Sequence, residues 1–254
     1  MVGPLRCGTG SGKGRRGELT AQELQQTRGG SAVLELTQVS KGFAAPGPRG
    51  LVMAGVNLRI GPGEFVAITG PAAAGKTTLL RLMAGLDAPT TGVVAVAGRA
   101  LGGLGDAALA RLRLTSLGTA LPGMPLLESL DLLENVALPL LLAGVGRREA
   151  RAQAEAALRE LALTTGASLA PEAASPSQRQ LAQVARAVAG DASLLLLDEP
   201  TAQLGPLGAD RVLRNLRQQV EQRNRTVVIV TSHAAVAAHA DREYRLSNGT
   251  LEEI

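Results

Sequence analysis

The chain has 254 residues, 45% hydrophobic and 19% charged, which supplies the core of one large domain and is too apolar for a disordered chain. A single cysteine, Cys7, excludes an internal disulfide framework, and one tyrosine, two phenylalanines and no tryptophan leave few aromatic faces for stacking bases. The formal charge of +4 gathers at the start, where Arg6, Lys13, Arg15, Arg16 and Arg28 outnumber Glu18 and Glu23, so the nearly neutral remainder argues against a nucleic-acid partner.

Residues 1–30, rich in Gly, Arg and Gln without periodicity, read as a flexible basic tail preceding a domain over 31–254. Inside the tail, GTGSGKGR (Gly8 to Arg15) imitates a phosphate loop but is one residue short, with Gly14 in place of the hydroxyl. From Ala32 come β-type runs, AVLELTQV, LVMAGVNLRI and EFVAIT, the last two separated by a Gly-Pro-Gly turn at 61–63. The third run ends at Gly70, and a helix is expected from about Lys76 with Leu79, Leu80 and Met83 on one face. GVVAVAG (92–98) is a further strand, and from about Asp106 to Ala189 the pattern is helical, most clearly in RREARAQAEAALRELAL. Then follow the strand SLLLLDEP, a helix from about Ala209 to Gln222, the strand TVVIVTS and a hairpin, REYRLSNGTLEEI, turning on Asn248-Gly249. The most apolar stretch, Leu126 to Val145, is broken by Glu128, Asp131, Glu134 and Pro139, so it cannot cross a bilayer as a helix. With no leader-type segment, a cytoplasmic location is expected, peripheral to the plasma membrane through a partner.

GPAAAGKTT contributes Gly70, Pro71, Ala72, Ala73, Ala74, Gly75, Lys76, Thr77 and Thr78 in the order of a phosphate loop, after a strand and at the start of a helix. In such a loop successive N–H groups wrap the nucleotide phosphates, Lys76 reaches the β and γ oxygens, and the Thr77 hydroxyl ligates Mg²⁺. A glycine-rich turn that merely opens a helix reads the same in isolation. What separates the two is LLLLDEPT, a buried strand delivering Asp198 and Glu199 to its C-terminal end, where ligands bind in open α/β sheets. Asp198 is expected to hold Mg²⁺ through water and Glu199 to polarise the attacking water as general base, with Lys76 the second catalytic residue. The fold class expected is α/β: a P-loop NTPase core with a mainly parallel sheet, an N-terminal antiparallel β portion and an inserted helical subdomain at about 115–185.

At these residues the chain resembles the ATP-binding subunits of ABC transporters, from about Ala32 to Ile254. VSKGF, PGEFVAITGP, LLENVALPLLLAG and DREYRLSNGTL are similar to the lipoprotein-release and macrolide-export branch. The resemblance implies ATP and Mg²⁺ as cofactors and adenine stacking on Phe43. It also implies a head-to-tail dimer in which each ATP lies between one phosphate loop and the other subunit's Leu-Ser-Gly-Gly-Gln signature.

Several positions depart from that pattern. The signature falls on Ala174 to Gln178, ASPSQ, where Ser175 suits an N-cap, Pro176 the first helical position and Gln178 the third, followed by Leu181, Val184, Ala185 and Val188 on one face. Ser175 is the one member whose hydroxyl the family turns to the nucleotide, yet capping competes for it, and Pro176 has no N–H. The glutamine sensing Mg²⁺ and permease falls on Pro122, the dimer-communication aspartate on Gly205, and the switch histidine on Ser232, with His233 adjacent and a one-residue bulge able to bring it into place. Ala73 stands where the family keeps a glycine for positive φ.

Three functions are open at this point. The first is an ATP-binding subunit coupled to a membrane permease through the region around Leu117 to Leu142, as a homodimer or a heterodimer. The second is a non-catalytic, nucleotide-binding partner of a competent subunit. The third is a soluble relative acting on nucleic acid or ribosomes, which the single nucleotide domain and weak charge of the body disfavour. Nucleotide binding is the firmer expectation; hydrolysis, if retained, is expected to be slow.

Overall fold

A computed structural model describes residues 32–42 and 51–254; the basic segment, its Gly8 to Arg15 loop and Phe43 lie outside the described residues. Among the described residues ten strands and seven α-helices are formed, the strands in two sheets. The first sheet is antiparallel, in the order β2 (Leu51–Ile60), β1 (Leu34–Gly42), β4 (Thr91–Val96), β5 (Arg99–Ala100).

The second sheet runs β10 (Thr250–Glu253), β9 (Arg242–Ser247), β3 (Phe65–Thr69), β8 (Thr226–Val230), β7 (Leu194–Asp198), β6 (Leu117–Ala120). All of its pairings are parallel except the β9–β10 hairpin. Its strands β3 and β8 are buried at every position because both faces are covered. Strand periodicity divides them: Phe65, Ala67, Leu195, Leu197, Val227 and Ile229 join one core, and Val66, Ile68, Leu194, Leu196, Val228 and Val230 the other. The first core is covered by α3 (Leu132–Leu142), α4 (Arg147–Glu160), α5 (Pro176–Val188) and α6 (Pro206–Arg223). The second is shared with α1 (Lys76–Met83) and the antiparallel sheet.

The run expected to be helical from about Asp106 to Ala189 is not continuous. Helix α2 (Asp106–Ser116) gives way to β6, four residues that pair in parallel with β7 before α3 begins. Leu-Gly-Thr-Ala is too short to show a period, and only the open edge of β7 makes it a strand. Gly118 is required there: a Cβ on it would lie 2.0 Å from the Ala187 carbonyl oxygen of α5. Helix α3 starts at a capping box formed by Asp131 and Glu134 and continues through Pro139. Asn135, fully buried, braces the preceding loop by donating to the carbonyls of Leu127, Leu130 and Asp131. Among the described residues no helix is long and apolar enough to cross a membrane.

Candidate functional site

The loop Gly70 to Thr78 joins β3 to α1, and its backbone is built for close approach. Gly70 has φ 153°, and a Cβ there would meet the Leu246 carbonyl oxygen at 2.2 Å; Gly75 has φ 96° and would meet Val52 Cγ1 at 2.4 Å. Ala73 takes φ 60°, as expected, although it carries a side chain. Gly75 caps α1 without a side chain, so the amides of Lys76, Thr77 and Thr78 precede the first intrahelical bond, Leu79 N to Gly75 O at 2.8 Å. Pro71, Ala72 and Ala73 are exposed, Ala74 is half-buried, and a helix N-terminus with free amides below them attracts anions. Lys76 is buried, and its Nζ donates to the carbonyls of Gly70 (2.8 Å) and Pro71 (2.9 Å). The ammonium thus lies inside the loop that a triphosphate would enter.

The acids come from the neighbouring strand end. Thr77 Oγ1 donates to Asp198 Oδ2 at 2.5 Å, so residues far apart in sequence form one half-buried pair of oxygens. Burial pushes the Asp198 carboxyl above its ordinary pKa, the Thr77 hydrogen bond opposes this, and the charge of Glu199 adds to it. Glu199 sits in the left-handed region at φ 44°, its amide donating to Val230 O at 2.8 Å. Its Oε1 accepts from Ser232 N (2.7 Å) and Ser232 Oγ (2.8 Å), and its Oε2 accepts from Thr231 Oγ1 (3.0 Å). The strand β8 keeps regular register against β7 up to Asp198 and Val230, so Ser232 meets Glu199 without a bulge. His233 is exposed at the N-cap of α7 (Ala234–Ala237) and reaches the group only by its amide, which donates to Thr231 Oγ1 at 3.1 Å. The bulge suggested for His233 is therefore absent here.

The segment Ala174 to Gln178 is a well-made helix start. Ser175 Oγ accepts from Gln178 N (3.2 Å) while Gln178 Oε1 accepts from Ser175 N (2.9 Å), and Pro176 occupies the first helical turn. Ser177 Oγ donates to Gln203 O at 2.7 Å, tying this end of α5 to the loop after Glu199, and Gly205 is the N-cap of α6. Of the residues singled out in the sequence, Gly70, Pro71, Lys76, Thr77, Asp198 and Glu199 come together; Ser175 is committed to its own helix. Thr231 and Ser232 as holders of Glu199, and Val52 and Leu246 as the backing of the loop, are additions of the structure. Only their position at or beside a strand end hinted at them.

The family model described as ABC transporter matches residues 53–202. The chain is 38% identical over 221 residues to the lipoprotein-releasing system ATP-binding protein LolD of Geobacter metallireducens, a match covering 87% of this chain and 98% of that one. It is 35% identical over 221 residues to the macrolide export ATP-binding/permease protein MacB of Salmonella typhi, covering 87% of this chain but 34% of the larger one. A bacterial ABC transporter cassette solved as a dimer superposes with a TM-score of 0.82 at 32% identity, covering 86% of this chain and 96% of that one. A post-hydrolysis form of the same cassette, bound to ADP and Pi, superposes with a TM-score of 0.81 at 31% identity, covering 87% of this chain and 98% of that one.

Proposed function

The chain belongs to the ABC transporter family, among its ATP-binding subunits, and on that premise we propose that it binds Mg-ATP at Gly70 to Thr78, hydrolyses it slowly and couples it to a membrane permease. The observation that carries this reading is the Thr77–Asp198 hydrogen bond, which joins phosphate loop and acidic strand at the mouth of an anion-attracting helix.

The residues present suit a hard divalent cation. A hydroxyl and a carboxylate oxygen lie together, half-buried, and the carboxyl is one that burial makes reluctant to carry its charge alone. Thr77 and Asp198 would hold the ion, whose chemistry is to neutralise charge on the β and γ oxygens. Lys76 exchanges the carbonyls of Gly70 and Pro71 for phosphate oxygens, a stronger, charge-assisted bond. Glu199 takes a proton from water as the water oxygen bonds to the γ-phosphorus and the β–γ bridging oxygen leaves with ADP.

A permease partner is supported by MacB, a relative whose name joins ATP-binding and permease functions and of which this chain matches only part. Leu127, Leu141 and Leu142 are exposed in the region around Leu117 to Leu142, where docking is proposed. A lipoprotein-release or export system is the type that the named relatives favour. Pairing with a second cassette, identical or not, is supported by the dimeric neighbour. The reading of a non-catalytic partner keeps one specific support, the hydroxyls at the start of α5, Ser175 engaged in its own capping box and Ser177 bonded to the Gln203 carbonyl.

Calorimetry with Mg-ATP on the purified chain tests the proposal. Lys76→Ala is expected to remove binding, because the loop and lysine carry the charge complementarity to the triphosphate. Unchanged affinity in that variant refutes it.

A further inference from the structure

Glu199 is held by a clasp that no motif announces. Both donors of Ser232, N at 2.7 Å and Oγ at 2.8 Å, converge on Oε1, and the Thr231 hydroxyl takes Oε2 at 3.0 Å. Thr231 is itself oriented: its oxygen accepts from His233 N at 3.1 Å, which turns its proton towards Glu199. We propose that Ser232 is a positioning residue for Glu199, standing where the family's histidine falls and serving the site by holding the base.

The inference rests on the reading that Glu199 is the base of ATP hydrolysis. A carboxylate oxygen offers two lone-pair sites, so Oε1 is saturated by Ser232 and the open site on Oε2 is left to accept the proton of water. A glutamate side chain has several rotatable bonds, and a base must be fixed within a fraction of an ångström of its proton to work. The strained backbone of Glu199, at φ 44°, points the side chain out of strand β7, and the clasp then fixes its far end on the neighbouring strand's exit. Ser232 is exposed, so its bonds to Glu199 rather than burial are the role its position gives it.

Ser232→Ala removes one donor and keeps the other, and Ser232→Thr keeps both. In the full chain Ser232→Ala is expected to lower kcat roughly tenfold, towards the Glu199→Gln level, since small misplacements of a catalytic group cost that much. KM, ATP affinity by calorimetry and melting temperature should stay as in the parent, and Ser232→Thr should restore the rate. Independently of turnover, the Ser232 amide should exchange with solvent about tenfold faster in Glu199→Ala when followed by NMR. Unchanged or raised kcat in Ser232→Ala overturns the proposal, as does a tenfold loss of ATP affinity there, or an amide indifferent to Glu199→Ala. A parent chain no faster than Glu199→Gln also overturns it, since no working base is left to position, while ATP binding lost with Lys76→Ala would still stand.

Discussion

Asp198 shows how one half-buried carboxyl is set against the stability of the fold. Burial and the charge of Glu199 raise its pKa in the folded chain above the unfolded value, so the native state binds its proton more tightly and loses stability as pH rises through the raised pKa. Asp198→Asn keeps an oxygen to accept from Thr77 and removes the half-buried charge. It is expected to raise the melting temperature of the nucleotide-free chain at neutral pH, by roughly 2 to 4 °C per kcal/mol relieved in a domain of this size. The gain should shrink as pH falls towards the ordinary aspartate range, and the dependence of ATP binding on divalent cations should disappear. A lower melting temperature at neutral pH would show that the carboxylate is stabilised by its surroundings, against the direction deduced from burial. Ala73 is a second residue whose cost is visible, an L-residue at φ 60° where glycine avoids a penalty of roughly 1 to 2 kcal/mol. The position could be named only through the family resemblance, because the phosphate-loop pattern itself leaves residue 73 unspecified.

Helix α5 is the element where two roles compete. The capping box of Ser175 and Gln178 satisfies backbone donors that the exposed helix start would otherwise leave to water, while the Ser175 hydroxyl it uses is the one that the family pattern turns to a nucleotide across the dimer. Ser175→Ala is expected to destabilise the chain by about 1 kcal/mol, the usual worth of such a cap, without changing its affinity for ATP. A clear loss of affinity in that variant would return Ser175 to the nucleotide site. The capping box was legible because it depends on residues three apart, whereas the Ser177 bond to Gln203 was not, because it links the helix to a loop from the far side of β7. Strand β6 was hidden for the same reason: four residues acquire their conformation from the edge of β7 and from the space that Gly118 leaves for α5.

For the whole molecule, the proposed slow turnover follows from donors that are missing together. A homodimer would carry the self-bonded start of α5 and Pro122 at both sites, and one preorganised donor is worth roughly 10² to 10³ in rate. Turnover of the purified homodimer is expected to lie well below about 1 per second. Substituting Ala174→Leu, Pro176→Gly, Ser177→Gly and Pro122→Gln together should raise it by roughly 10² or more, with Glu199→Gln removing the gain. An unmodified homodimer already turning over at an ordinary rate sinks this account. By itself the sequence determined the α/β class, the phosphate loop and the two acids, because each is written in a local period or in a motif whose spacing is its mechanism; the branch of the family was legible only through the resemblance of whole stretches such as LLENVALPLLLAG and DREYRLSNGTL. Tertiary structure alone decided that β6 completes the parallel sheet, that Thr77 meets Asp198, and that Ser232 in place of His233 holds Glu199. Those contacts join the ends of different strands, and which ends become neighbours is set by the burial of the sheet's two faces, a property of the folded chain that no short stretch of it contains.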